Sequence, residues 1–275
     1  MLNHIALLGV QINLDQTIET MPLFASDRAL VVAAEPDLFT VHRWIPCDNV
    51  SQAMVVLDHE LIGDVVIGAA QAMLVGGEIA PLAIYSVGFD TVFFGDLYRK
   101  RAEHLTMDTV DLKALGIEKT GSGPKLLSFL EKRLLPMIAR ELPHLDVPPA
   151  LAGFSLSGLF ALQAATNFPH LFGDISAFSP SLFLDREVQA GLATLLSQDP
   201  SRRLYLAAGK LEEDRAQTGL DHHMHELVAE LGARLQADYG DRVIARILES
   251  ETHFSVPFST VPAMLRHLFS PIALS

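Results

Sequence analysis

PALAGFSLSGLFAL, residues 149–162, is the stretch on which the reading of the whole chain turns. It begins as a short apolar strand, turns sharply through Gly153-Phe154-Ser155-Leu156-Ser157-Gly158, and leaves as an apolar helix. A serine on a strand-to-helix turn of G-x-S-x-G type is held in a strained backbone conformation, and only small residues fit two places before it and two places after it. Gly153 meets that need and Ser157 departs from it mildly. If Ser157 were the nucleophile, Leu159 would fall at the second small position and crowd the turn, so Ser155 is the expected nucleophile. The competing reading is a Ser/Gly turn that caps a helix by accepting its free backbone N–H groups.

Outward from this turn, strand-like runs recur at 29–33, 39–45, 53–58, 81–87, 149–154, 174–178, 203–208 and 242–248. From Ala53 onward most are separated by helical patterns. Two helices are well marked: 125–140, with Leu126, Leu127, Leu130, Leu134 and Ile138 on one face, and 221–237, with Met224, Leu227, Val228, Leu231 and Leu235. Alternating strands and helices predict an α/β class: a three-layer sandwich whose central sheet is mostly parallel, with an antiparallel edge from the early strands. Segment 89–123 is polar and Gly-bearing without clear periodicity, segment 178–200 reads as a second excursion, and both are expected to wall an active site. Without repeats or a linker, residues 1–275 are expected to form a single domain.

A strand-serine-helix turn of this kind belongs to the α/β-hydrolase fold, in which an acid and then a histidine follow the serine, each on a loop after a later strand. Of the eleven histidines, only His253 sits just after a late strand and just before the last helix. His267 lies inside a helical pattern and His170 directly after a helix, so both read as structural. The acid orients the imidazole and stabilises its protonated form, which places it past the strand 203–208. There Glu212, Glu213 and Asp214 compete; Glu212 comes first after the turn and is the expected member, with a Ser-His pair as the variant that needs no acid.

With these residues located, the chain resembles the putative esterase family of α/β-hydrolases, which includes esterase D-like proteins and the enterobactin and salmochelin trilactone esterases. Residues 153–162 are similar to the family's G-H-S-L-G-G-L-F-A-L, with Phe154 in place of His and Ser157 in place of Gly. Ser179-Pro180-Ser181-Leu182-Phe183 resembles its S-P-S-L-W, residues 99–106 its R-x-x-D-L-T, 121–130 the segment opening its pre-elbow helix, and Thr252-His253-Phe254-Ser255-Val256 its histidine segment. Asp58-His59 falls where the family often has Asp-Gly after a strand. The resemblance implies an oxyanion hole built from the backbone N–H of Leu156 and that of His59 or Glu60. The Asp58 side chain itself is expected to end its strand by bonding to its own turn.

Together these readings predict a serine hydrolase that cleaves carboxylic esters of small molecules through an acyl-enzyme on Ser155. The same parts would serve a siderophore trilactone esterase, a thioesterase or an acyltransferase, and a catalytically silent scaffold or a short-peptide peptidase are the rivals of other kinds. No cofactor or metal is expected: Asp221-His222-His223-Met224-His225-Glu226 places His222 and Glu226 on one helix face, yet no second ligand cluster accompanies them. Twenty Lys and Arg against 33 acidic residues give a net charge of −13, which disfavours nucleic acid and anionic membranes as partners. Arg99, Lys100, Arg101 and Arg186 are the cations that an anionic siderophore would need, and they read more simply as a solvated basic turn. Apolar runs are too short to span a membrane, no secretion signal is read at the start, and the one cysteine, Cys47, forms no internal disulfide; a cytoplasmic setting is the expectation.

Overall fold

The computed structural model describes residues 39–89, 91, 93–113, 117–212 and 223–271, together with the backbone of an N-terminal hairpin, β1 (His4–Leu7) and β2 (Val10–Asn13). Seven further strands form one sheet: β3 (Phe39–Trp44), β4 (Gln52–Leu57), β5 (Leu82–Phe89), β6 (Ala150–Phe154), β7 (Ile175–Phe178), β8 (Leu204–Gly209) and β9 (Val243–Leu248). Their order across the sheet is β3-β5-β4-β6-β7-β8-β9. β3 runs antiparallel to β5 at one edge, and all other pairings are parallel. The mostly parallel sheet with an antiparallel early edge is thus the predicted one.

Both faces of the sheet are buried, and the side chains divide between them with the period of two that a pleated strand dictates. On β4, Val55 and Leu57 enter one apolar layer while Met54 and Val56 enter the other; on β8, Leu204, Leu206 and Ala208 oppose Tyr205 and Ala207. Helix α1 (Asp64–Val75), entered through a π-helical turn at His59–Gly63, and the last helix, α8 (Val256–Phe269), cover the layer to which Met54 and Tyr205 belong. The opposite layer is closed by α3 (Gly123–Phe129) and α4 (Leu135–Glu141), joined by a π-helical turn, by α5 (Leu156–Asn167), by α6 (Val188–Gln198) and by α7 (Met224–Tyr239). A strand buried on both faces reads as a continuous apolar run. That is why the runs from 39 onward fall within about two residues of observed strands, whereas 29–33 lies outside the described residues.

Segment 89–123 contains an eleven-residue helix, α2 (Phe94–His104), and segment 178–200 contains α6. In α2 the buried positions are Leu97, Arg101, Ala102 and His104. Two of these are polar, so the apolar stripe that would have announced the helix is interrupted. α6 does carry such a stripe, in Val188, Leu192, Leu195 and Leu196, short but at helical spacing. Among the described residues no helix is long and apolar enough to cross a membrane. Because β4 to β9 run parallel, their carboxyl ends share one edge of the sheet, where the connections to the helices begin.

Candidate active site

Among the described residues, three adopt left-handed or otherwise positive φ immediately after a strand at this edge: Asp58 after β4 (φ 62°), Ser155 after β6 (φ 60°) and Ser179 after β7 (φ 44°). Non-glycine residues hold such angles only when their surroundings over-determine them. For Ser155, with ψ −116°, the surroundings are visible: its N–H donates to Phe178 O (2.9 Å), and its carbonyl accepts from Leu159 N (3.0 Å) and Ser181 N (3.2 Å). Gly153 is obligatory here, since a Cβ built on it would fall on the Ser157 carbonyl group and lie 2.8 Å from Gly158 N. Ser155 is half-buried, whereas Ser157 is fully buried and its hydroxyl is in use, accepting from Phe154 N (2.7 Å) and donating to Asp58 Oδ2 (2.6 Å). Leu156 is the first residue of α5, so its N–H has no intrahelical acceptor and points with the positive end of the helix.

Glu212 and His253 arrive from the carboxyl ends of β8 and β9. Glu212 Oε2 and His253 Nδ1 are 3.0 Å apart, and the carboxylate side chain is 1% exposed against 22% for the imidazole. The other oxygen, Oε1, accepts from Gly209 N (2.5 Å) and from Ser179 Oγ (2.6 Å). Gly209 N and Ser179 Oγ fix this carboxyl group in place, and the imidazole tautomer that can donate to Oε2 carries its hydrogen on Nδ1 and its lone pair on Nε2. The His253 ring lies 4.7 Å from the Phe154 ring and 5.3 Å from that of Phe254, which it meets edge-on at 82°. Two of the three predicted catalytic residues are thereby in direct contact. Glu213 and Asp214, the competing acids, lie outside the described residues.

Residues 107–231 match the family whose description is Putative esterase. Among solved structures, the siderophore hydrolase EstA from Aspergillus nidulans is 17% identical, over 86% of this chain and 92% of that one, with a TM-score of 0.69. The BES protein from Bacillus cereus is 22% identical over 88% and 93%, with a TM-score of 0.71. The enterobactin hydrolase IroE, in complex with DFP, is 20% identical over 84% and 88%, with a TM-score of 0.57. No protein of curated function matches the sequence. The chain has the α/β-hydrolase fold and resembles the putative esterase family.

The turn after β4 departs from the sequence expectation. Its closure falls to the Asp58 carbonyl, which accepts from Leu61 N and Ile62 N (3.0 Å each). The Asp58 side chain is instead bound bidentately by Arg101, through Nε (2.8 Å) and Nη2 (3.0 Å), and by the Ser157 hydroxyl. Arg101 is 4% exposed, so it is no part of a solvated basic turn, while Arg99 is exposed and pairs with Asp96. His59, the predicted second oxyanion donor, directly follows Asp58; its ring stacks on His42 at 3.5 Å and its Nδ1 is 3.1 Å from Ser86 Oγ. Glu60 accepts from Phe89 N, and burial pushes its carboxyl above the usual range against the pull of these hydrogen bonds.

Two residues named in the sequence reading take roles it did not assign them: Ser179, whose hydroxyl holds Glu212, and Arg101, which binds Asp58. The first had a signal, a Ser-Pro-Ser directly after a strand; the second had one in the 99–106 resemblance, but an arginine among neighbouring cations does not announce its burial. His267 lies in α8, with Nε2 3.2 Å from Arg242 O and an imidazole pKa lowered by burial. His222 and Asp221 lie outside the described residues, and Glu226 pairs with His223 at 3.2 Å. Among the described residues no three His, Cys, Asp or Glu side chains group as metal ligands would.

Proposed function

We propose that the chain is a serine hydrolase that cleaves carboxylic esters through an acyl-enzyme on Ser155, with His253 as general base and Glu212 as the acid that orients it. The observation that carries this reading is the contact of the buried Glu212 carboxylate with His253 at the strand edge where Ser155 is held at φ 60°. In the proposed reaction the Ser155 hydroxyl attacks the ester carbonyl and its proton passes to His253 Nε2. Glu212, fixed by Ser179 and Gly209, stabilises the imidazolium without taking the proton. The negative oxygen of the tetrahedral intermediate rests on the backbone N–H groups of Leu156 and His59. His253 returns the proton to the leaving alcohol, and a water then attacks the acyl-enzyme by the same route.

For the substrate we propose small uncharged or aromatic esters. Similar solved structures include two named for siderophore hydrolysis, but at 17% and 18% identity they speak for the fold. An anionic catecholate trilactone needs cations at the site. Of the candidate cluster, Arg101 is spent on Asp58 and Arg99 on Asp96, in a chain of net charge −13. The test is kcat/KM for p-nitrophenyl acetate and butyrate against a catecholate trilactone, at low and high salt, with wild type and Ser155→Ala. A trilactone preference above about a hundredfold, roughly 2.7 kcal/mol, that salt erodes would overturn the substrate assignment; full activity of Ser155→Ala would overturn the mechanism.

A further inference from the structure

Behind the elbow lies a buried polar network that the reaction above does not use directly. Asp58, Arg101 and Ser157 are 1%, 4% and 0% exposed. Each carboxylate oxygen of Asp58 receives one Arg101 nitrogen, and Oδ2 also receives the Ser157 hydroxyl. Arg101 Nη2 reaches on to Phe154 O at 3.4 Å, and Ser157 Oγ takes the Phe154 N–H at 2.7 Å. The positions of these partners in the chain matter: Asp58 immediately precedes His59, Phe154 immediately precedes Ser155, and Ser157 immediately follows Leu156. The network ties together the two backbone segments that carry the proposed oxyanion donors, which belong to turns following different strands, β4 and β6.

We propose that Arg101, Asp58 and Ser157 are positioning residues that fix the separation of the Leu156 and His59 N–H groups, and hence the geometry of the oxyanion hole; this rests on the assignment of Ser155 above. Two physical facts support the role. A guanidinium bound bidentately to a carboxylate sets distance and angle together, which a lysine could not do. A buried ion pair is also weak as a source of stability, because an apolar replacement of the whole pair is often no worse energetically, which leaves the enforcing of one arrangement as the role proposed for it here. Ser157 adds a direct tie between the turns. It stands where the resembled family has glycine, which has no side chain to make that bond, so this chain has a link of its own between Asp58 and the elbow. The strained Asp58 (φ 62°) is held by the same contacts, and it sets where the following N–H points.

The test compares Ser157→Gly, Ser157→Ala and Arg101→Lys with wild type in three measurements: kcat and KM on p-nitrophenyl butyrate, Ki for an aryl trifluoromethyl ketone, whose hemiketal oxyanion needs the hole, and fluorophosphonate titration of Ser155. A displacement of the donors by a fraction of an ångström to an ångström is expected to cost on the order of tenfold to a hundredfold in kcat. The ketone Ki should rise in proportion, with KM nearly unchanged and titration still reaching one equivalent. Arg101→Lys should be the most affected, and the two Ser157 variants, being milder, guard against simple misfolding. If the Ser157 variants titrate fully and keep kcat and Ki within about twofold of wild type, the network is structural only and the inference fails while the Ser155 assignment stands. The inference fails equally if kcat falls while the ketone binds as before. If wild type itself is not titrated at Ser155, the underlying assignment fails and the inference falls with it.

Discussion

Glu212→Gln isolates the role of one oxygen. The side chain accepts three hydrogen bonds, two of them on Oε1 from Gly209 N and Ser179 Oγ. A carboxamide of the same shape can keep both only by placing its own oxygen there, because an NH2 group facing two donors would lose both bonds. Its NH2 must then face His253 Nδ1, where Oε2 now lies 3.0 Å away. The imidazole is left to break that contact or to change tautomer, and in the second case Nε2 carries the hydrogen and cannot accept the Ser155 proton. On the proposed mechanism the expected loss is about 10³ to 10⁴ in kcat, or roughly 4 to 5.5 kcal/mol, with KM changed only a few-fold. The fold should scarcely notice, since the two bonds to Oε1 survive. Glu212→Ala, which leaves the Gly209 N–H and Ser179 hydroxyl without this acceptor, should lose about 1 to 3 kcal/mol of stability as well. Steady-state hydrolysis of p-nitrophenyl butyrate and a thermal melt on both variants make the comparison. A Glu212→Gln enzyme within about tenfold of wild type would show that Oε2 does not orient His253, and would move the acid to Glu213 or Asp214 or reduce the site to a Ser-His pair.

Three other outcomes are expected. His253→Ala should lower kcat by about three orders of magnitude or more while His267→Ala leaves it nearly unchanged; equal activities in the same assay would remove His253 from the site. Gly153→Ala should destabilise the protein by about 3 kcal/mol or more and abolish fluorophosphonate labelling, because the added Cβ meets the Ser157 backbone and no flexible side chain can yield; a normally labelled, normally stable variant would contradict the elbow geometry. Burial holds the His267 imidazole below its ordinary 6.5, so its contribution to stability is complete above about pH 6.5 and is lost as pH falls through the lower folded-state value. Melts at pH 7.5 and 5.5 should therefore differ less for His267→Gln, which can still donate to Arg242 O, than for wild type; an equal difference would show that His267 is not the group titrating.

Much of the fold was legible because the forces that make it act locally on sequence. Strands buried on both faces, such as 53–58 and 203–208, are nearly continuous apolar runs, and α7 shows its stripe from Met224 to Leu235 without interruption. α2 was hidden because Arg101 and His104 take buried positions that an apolar pattern cannot mark. The elbow could be read because backbone strain demands small residues, and Gly153 answers that demand within the motif itself. Glu212 and His253 were reachable through chain order and position after strands. What held them was not: Ser179 lies 33 residues from Glu212, Arg101 43 from Asp58, and Asp58 99 from Ser157. Such long-range polar pairs are specified by the packing of several strand ends together, and a single residue carries no mark of its partner. The Asp58 side chain shows where local reasoning stops, since a turn-closing bond was the nearest option and a buried guanidinium proved the actual one.

The proposed mechanism stands or falls on Ser155, and no other serine, being the nucleophile. It is tested by reaction of the wild-type protein with a fluorophosphonate, followed by intact-mass and peptide-mass analysis, with Ser155→Ala and Ser157→Ala in parallel. The expected result is one equivalent of label on the peptide containing Ser155, full labelling of Ser157→Ala, and none of Ser155→Ala. Label on Ser157 or on another serine, or labelling of Ser155→Ala to the wild-type extent, would contradict the assignment.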